Sequence, residues 1–111
     1  MNAYEIPGLR FSLPAGAEIA RARFVSVDAS GNGIQATAAT QVIGASMNQS
    51  KLGEVLEVAD GIVMVEAAGA VTSGVAVYAN ADGKAVTEGT NIAGVAITAA
   101  TGAGQLVAVK I

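Results

Sequence analysis

The chain alternates short runs of apolar residues with clusters of glycine, asparagine, aspartate and serine. The apolar runs are rich in valine and isoleucine, which is typical of β-strands, and turn residues recur at intervals of about ten residues. We predict strands at residues 23–28, 42–47, 54–58, 62–67, 75–80, 85–87, 92–98 and 105–111. The pattern favours an all-β fold, a compact β-barrel or sandwich, over alternating strands and helices.

Residues 36–51 are the one stretch for which a helix remains open. They are rich in alanine and polar residues, and propensity alone allows a short helix there. Gly44 lies in the middle of the stretch, and residues 42–45 match the strand-like residues 92–95. A strand is therefore the favoured interpretation.

The second half of the chain repeats the first half. The matched segments, in pairs, are residues 17–35 with 69–87, 42–45 with 92–95, and 53–58 with 104–109. Neither copy carries a reactive side chain, which indicates a structural building block. We expect one β domain, residues 17–111, made of two similar halves at about residues 17–58 and 69–110.

Residues 1–16 lie outside this alignment and are predicted to form an extended N-terminal arm. They hold both prolines, and proline restricts itself and the preceding residue to extended or turn geometry. The segment is too apolar for a freely solvated tail, so we expect it to dock on its own domain or on a partner. Its candidate contact side chains are Tyr4, Ile6, Leu9, Phe11 and Leu13.

Composition points to an oligomer and away from several kinds of chemistry. Alanine and valine supply most of the 52% of residues that are hydrophobic, so the core contributes little stability per residue and apolar surface is left over. The absence of histidine and cysteine excludes zinc sites and imidazole-based triads. A net charge of −3 with scattered basic residues argues against nucleic-acid binding. No apolar run is long enough to span a bilayer, so we expect a soluble protein without a membrane partner, made in the cytoplasm.

The acidic and glycine-rich motifs are interpreted as structural. Glu54, Glu57 and Asp60 form the densest acidic group, but the two glutamates should face opposite sides of a strand, so a solvated strand end is favoured over acid/base chemistry. Residues 28–33 imitate the start of a calcium loop, yet the twelfth position, which needs a glutamate, is Ala39. A tight turn is favoured there, since an Asn-Gly pair at 32–33, like the Asp-Gly pair at 82–83, suits a hairpin turn with positive φ.

Lys84 is the one chemically interesting position. The only Gly-Lys pair, at 83–84, is followed by Ala85 instead of serine or threonine, which excludes a P-loop. Residues 82–85 (DGKA) loosely resemble the Asp-Lys-Ala turn of lipoyl carrier domains, which attach their cofactor to an exposed lysine. The departure is that Gly83 separates the acid from the lysine. A solubilising surface lysine is the favoured interpretation, so we predict no cofactor, no metal site and no enzyme activity.

Taken together, the motifs resemble those of the small capsid cement or head-decoration proteins of tailed phages, over nearly the whole chain. The segments that carry the resemblance are residues 15–17, 42–45, 53–55, 58–62, 74–78, 82–87 and 92–96. The resemblance implies a β-rich, often trimeric domain on the outside of an icosahedral shell that fastens neighbouring copies of the major capsid protein. It implies a location on the capsid surface of the virion, after synthesis in the host cytoplasm, and it carries over no active-site residues.

The residues leave two rival functions open. One is another structural role, as a head-fibre or tail subunit. The other is a lipoyl-type carrier domain modified at Lys84.

Overall fold

All regular structure in residues 3–111, the part of the chain that the computed structural model describes, is β-strand. The strands are β1 Ile6–Pro14, β2 Phe24–Val27, β3 Gly33–Gln35, β4 Gly44–Ser46, β5 Val55–Glu66, β6 Ala76–Ala79, β7 Ala85–Val86, β8 Ile92–Ala96 and β9 Leu106–Lys110. The prediction of an all-β fold is confirmed. Over the described residues no helix is long and apolar enough to cross a membrane.

The nine strands form one sheet that curls into a half-barrel. Its order is β3-β2-β4-β5-β9-β8-β6-β7, all neighbours are antiparallel, and β1 pairs with β5 off this path. Parallel bridges between Ala15 and Gly33 and between Ala67 and Ala85 draw distant parts of the chain together.

β5 is one continuous strand of 12 residues, whereas the sequence predicted two separate strands, at residues 54–58 and 62–67. Gly61 has a φ of +86°, which makes a local bend that only glycine adopts without strain. β4 pairs with residues before this bend, β9 pairs with residues after it, and β1 pairs with β5 on both sides of it. Pairing on both sides therefore keeps extended a segment that looks like a turn in the sequence.

Three smaller expectations also changed. Residues 36–51 contain no helix, and the favoured strand is present but covers only Gly44–Ser46. β3 was not predicted, because a strand of three residues beginning with glycine has no clear alternation. In the first hairpin turn, the positive φ lies at Gly31 instead of at the Asn-Gly pair, whereas Gly83 has the expected positive φ in the second.

The core has two clusters of buried side chains. The smaller cluster contains Ala15, Ile19, Val25, Leu56 and Val58, and the side chains of Phe11, Leu13 and Ile43 pack against it. The larger cluster is built mostly from alanine and valine of β5 through β9, and it also includes Phe24, the largest fully buried side chain. The larger cluster depends on close approach of the strands, since alanine and valine fill little space.

Gly44 shows how close that approach is. A Cβ atom at this position would lie 2.6 Å from the carbonyl oxygen of Ala59 and 2.8 Å from Cγ1 of Val58. We therefore expect Gly44→Ala to lower the free energy of unfolding by about 1–3 kcal/mol, the usual cost of overpacking a core.

The matched control is Gly102→Ala, because a Cβ atom there meets nothing within 4 Å and its φ is not positive. Its stability should be unchanged or higher by up to about 1 kcal/mol, since alanine restricts the unfolded chain. Urea unfolding of both variants measures the difference. Equal stability of the two variants would contradict the close packing of β4 against β5.

Candidate capsid-contact surface

The predicted arm contains a strand that is docked on the protein's own body. β1 runs antiparallel to β5, and its residues 10–14 pair in unbroken register with residues 59 down to 55. One edge of β1 is therefore occupied within the chain. A partner that binds β1 must therefore contact either its outward-facing side chains or its other edge.

A bend in β1 is fixed by its contact with β5. The register shifts between Pro7 and Arg10, where the N–H of Leu9 donates to Oδ1 of Asp60 at 2.7 Å. A Cβ atom at Gly61 would collide with the backbone nitrogen of Gly8, so glycine is required there. The bend and the carboxylate together set the direction in which the start of β1 leaves the body.

The five candidate contact residues fall into two groups. Ile6 and Leu9 are each 62% exposed, and Tyr4 is also exposed. Phe11 and Leu13, by contrast, are half-buried and pack on the smaller core cluster. The structure therefore presents the first three side chains to solvent and uses the last two within the protein, and the contact role of all five remains a prediction.

Other exposed apolar side chains were not singled out from the sequence. Leu52 and Val55 lie at the β4–β5 turn, where Val55 pairs with Pro14 of β1. Val75, Ile92 and Val95 lie on or beside β6 and β8. The sequence signal for the exposure of Leu52 was a bulky apolar residue within a polar turn. The sequence carried no such signal for Val75, Ile92 and Val95, because alternation alone does not show which face of a strand is covered.

The acidic group at residues 54–60 serves the local structure. Oε1 of Glu54 accepts from the N–H of Lys51 at 2.7 Å, and Oε1 of Glu57 accepts from the hydroxyl of Ser12 at 2.9 Å. Asp60 holds the bend in β1. Within residues 3–111 no group of three or more acidic side chains is arranged to hold a metal ion.

The calcium-like segment forms a hydrogen-bonded turn. Oδ1 of Asp28 accepts from the backbone N–H groups of Ser30 and Asn32, both at 2.9 Å. The N–H of Asn32 is the main cause that holds the pKa of Asp28 below its usual value, with a smaller contribution from Ser30. The equivalent turn in the second half uses Asn80, whose Oδ1 accepts from the N–H groups of Asp82 and Lys84.

Lys84 does not project freely from its hairpin. Its Nζ lies 3.0 Å from Oε2 of Glu66, whose other oxygen lies 3.5 Å from Nη1 of Arg23. The neighbouring carbonyl of Gly83 accepts from the N–H of Phe24 at 2.8 Å, so the tip of the hairpin is held against the first half of the chain. A carrier domain needs a lysine that can swing out, and this geometry disfavours that alternative.

The same all-β fold occurs in a solved structure. The head fiber gp8.5 N base of bacteriophage phi29 superimposes with a TM-score of 0.78 at 20% identity, covering 93% of this chain and 92% of that chain. A family model for phage cement proteins matches residues 5–111, and the chain therefore belongs to the phage cement protein family. It is a capsid-associated structural protein of the virion. No curated protein sequence matches the chain.

The two equivalent turns give a prediction for acid stability. A carboxylate whose pKa is lowered on folding stabilises the protein above its unfolded pKa, about 3.9, and that contribution is lost as the pH falls through the lower folded value. Asp28→Asn keeps the acceptor oxygen, as Asn80 does, but cannot titrate. We expect this variant to be less stable than the wild type at pH 7, because it lacks the charged acceptor, and to lose less stability below about pH 4, so that the two proteins approach each other in acid.

Thermal unfolding across this pH range measures the effect. Asp82→Asn, at an exposed carboxylate in the second turn, is the control and should follow the wild-type profile. An Asp28→Asn profile that coincides with the wild type would show that the Asp28 hydrogen bonds do not couple to folding.

Proposed function

We propose that this protein binds the outer surface of an assembled phage capsid and stabilises the lattice of its major capsid protein. The observation that carries the proposal is membership of the phage cement family over residues 5–111. We assign it no catalytic role, and we place its synthesis in the host cytoplasm before it assembles onto the virion.

The contact with the capsid is assigned to the start of β1. Ile6 and Leu9 stand exposed on a strand that is anchored by its pairing with β5 and by the Leu9–Asp60 hydrogen bond. Burying one such side chain contributes about 1.5–3 kcal/mol. Because these side chains are preorganised, little conformational entropy is lost when a capsid groove covers them.

A head-fibre base is the second candidate function. The specific support is the shared fold with the phi29 head fiber base over nearly the full length of both chains. In that role the domain would attach a fibre to the capsid without strengthening the shell. Decorated shells that resist heat or low salt no better than bare shells would favour this alternative.

We also propose that the body consists of two similar halves, with a boundary that differs from the one predicted from sequence. Residues 10–14 pair with residues 55–59 of β5 as residues 62–66 pair with residues 106–110 of β9. The bridge of Ala15 to Gly33 has its counterpart in the bridge of Ala67 to Ala85. These matches support placing most of β1 in the first half, so that the arm outside the repeat shortens to about residues 1–9.

A homo-oligomer, with a trimer favoured, completes the proposal. The support is the small-residue core together with apolar side chains that remain exposed in the single chain. Several copies that bind one shell together would also gain avidity, which compensates for a small contact per copy.

Removing the exposed side chains of β1 tests capsid binding. We expect Ile6→Ser with Leu9→Ser to weaken binding to cognate shells at least about 100-fold, since about 3 kcal/mol of apolar burial is lost. Co-sedimentation with empty shells measures the affinity. Point variants are preferable to deletion of residues 1–16, because Phe11 and Leu13 cover the smaller core cluster.

Leu52→Ser is the matched control, since Leu52 is exposed in a turn away from the start of β1 and its variant should bind normally. Binding of the double variant within about twofold of the wild type would assign the contact to another surface, since a twofold change is about 0.4 kcal/mol. Failure of the wild-type protein to bind cognate shells at all would contradict the proposed function itself.

A further inference from the structure

One face of the first half of the chain is buried under the second half. This junction face consists of Ala22, Phe24, Ala36, Val42, Ala45 and Ala59, all of them buried. Most of its residues belong to the larger core cluster together with Val77, Ala79 and Ala85 of the second half. The junction is thus a packed apolar contact and not merely two elements that lie side by side.

The β6–β7 hairpin contacts the junction face directly. The carbonyl of Gly83 accepts from the N–H of Phe24 at 2.8 Å. A Cβ atom at Gly83 would lie 2.7 Å from Cγ of Gln35 and 3.1 Å from the carbonyl oxygen of Phe24. The tip of this hairpin is therefore pressed against β2 and the end of β3.

The second half carries an equivalent face, and the pairing register identifies it. Phe24 pairs with Ala45 as Ala76 pairs with Val95. Ala45 in turn pairs with Ala59 as Val95 pairs with Lys110. We call this equivalent surface the open face. It is defined by Ala76, Ile92, Val95 and Lys110, with Gly74 and Glu88 at the positions that correspond to Ala22 and Ala36.

The open face is uncovered in the single chain. Val42 and Ala45 are 8% and 0% exposed, whereas their equivalents Ile92 and Val95 are 54% and 41% exposed. Its exposed apolar side chains thus occupy positions whose equivalents in the first half are covered by the β6–β7 hairpin. The internal junction shows that a two-stranded β-hairpin fits such a face.

The matching element is also present and uncovered. The β2–β3 hairpin of the first half corresponds to the β6–β7 hairpin, yet Val27 is 42% exposed where its equivalent Ala79 is 4% exposed. A Cβ atom at Gly31 meets nothing within 4 Å, whereas one at the equivalent Gly83 would collide with Gln35. The internal junction joins a face to a hairpin. Each chain therefore carries a second face and a second hairpin of the same kind, and both are uncovered.

We propose that the open face of one chain binds the β2–β3 hairpin of a second copy, so that the internal junction is repeated between chains. The contact is heterologous, because different surfaces meet, and such contacts close into rings or extend into filaments. The inference rests on the proposed homo-oligomer but not on capsid binding. It gives that oligomer a specific head-to-tail interface.

The contact between copies differs from the internal junction in its polar part. Within the chain, Glu66 forms ion pairs with Arg23 and Lys84 beside the junction. At the equivalent places, the second half has Val75 and the first half has Pro14 and Asn32. The contact between copies therefore lacks counterparts of these two ion pairs.

Charged substitutions on the two surfaces test the proposal. Val95→Glu alters the open face, Val27→Glu alters the hairpin, and Leu52→Glu is a control on an exposed turn outside both surfaces. Light scattering on the free proteins should give a multiple of 10.9 kDa for the wild type and the control, and the single-chain mass for the other two variants. Far-UV circular dichroism checks that each variant remains folded, and Ile92→Lys replaces Val95→Glu if the latter unfolds.

Mixing the two variants distinguishes a head-to-tail contact from a symmetric one. Each variant retains one intact surface, so the mixture should form a complex of two chains that cannot grow further. A wild-type protein that is a single chain, variants that keep the wild-type mass, or a mixture without the two-chain complex would each overturn the proposal. Because no shell is present, these results stay separate from the capsid-binding experiments.

Discussion

The structure depends on the continuity of β5 through the bend at Gly61. β4 pairs with residues before the bend, β9 pairs with residues after it, and β1 pairs on both sides of it, so one strand carries both parts of the sheet. The bend exists because Gly61 adopts a φ of +86° in a place where a side chain would collide with the backbone of Gly8 and Ile6. A bulkier residue there would disturb both the docking of β1 and the join between the two parts.

Small residues make the rest of the architecture possible. Gly44 and Gly94 occupy equivalent positions on β4 and β8, and a Cβ atom at either would collide with the backbone of the strand alongside. Close strands let alanine and valine fill the interior, but such a core buries little apolar area per residue. Covering the exposed valines and isoleucines of the second half with another surface would therefore add a substantial share to the apolar area that the protein buries.

The sequence predicted strand positions well where the local pattern of apolar and turn residues decides them. It did not predict features that depend on pairing between distant strands. Most strands followed from apolar runs and turn residues, but the Asp60-Gly61 pair looked like a turn and lies within β5 because β1 pairs across it. Among the contact candidates, Phe11 and Leu13 could not be separated from Ile6 and Leu9, since only the register with β5 shows which side chains reach the core. The exposure of Val95 was hidden for the same reason, since the sequence does not show that its equivalent Ala45 is covered whereas Val95 is not.

Electron cryomicroscopy of cognate shells decorated with the protein would test the proposed capsid contact and the proposed head-to-tail interface together. We expect density for the domain on the outer surface, with Ile6 and Leu9 against the capsid protein and Val27 of one copy against Val95 of the next. Density inside the shell, or isolated copies with the start of β1 facing solvent, would contradict these proposals.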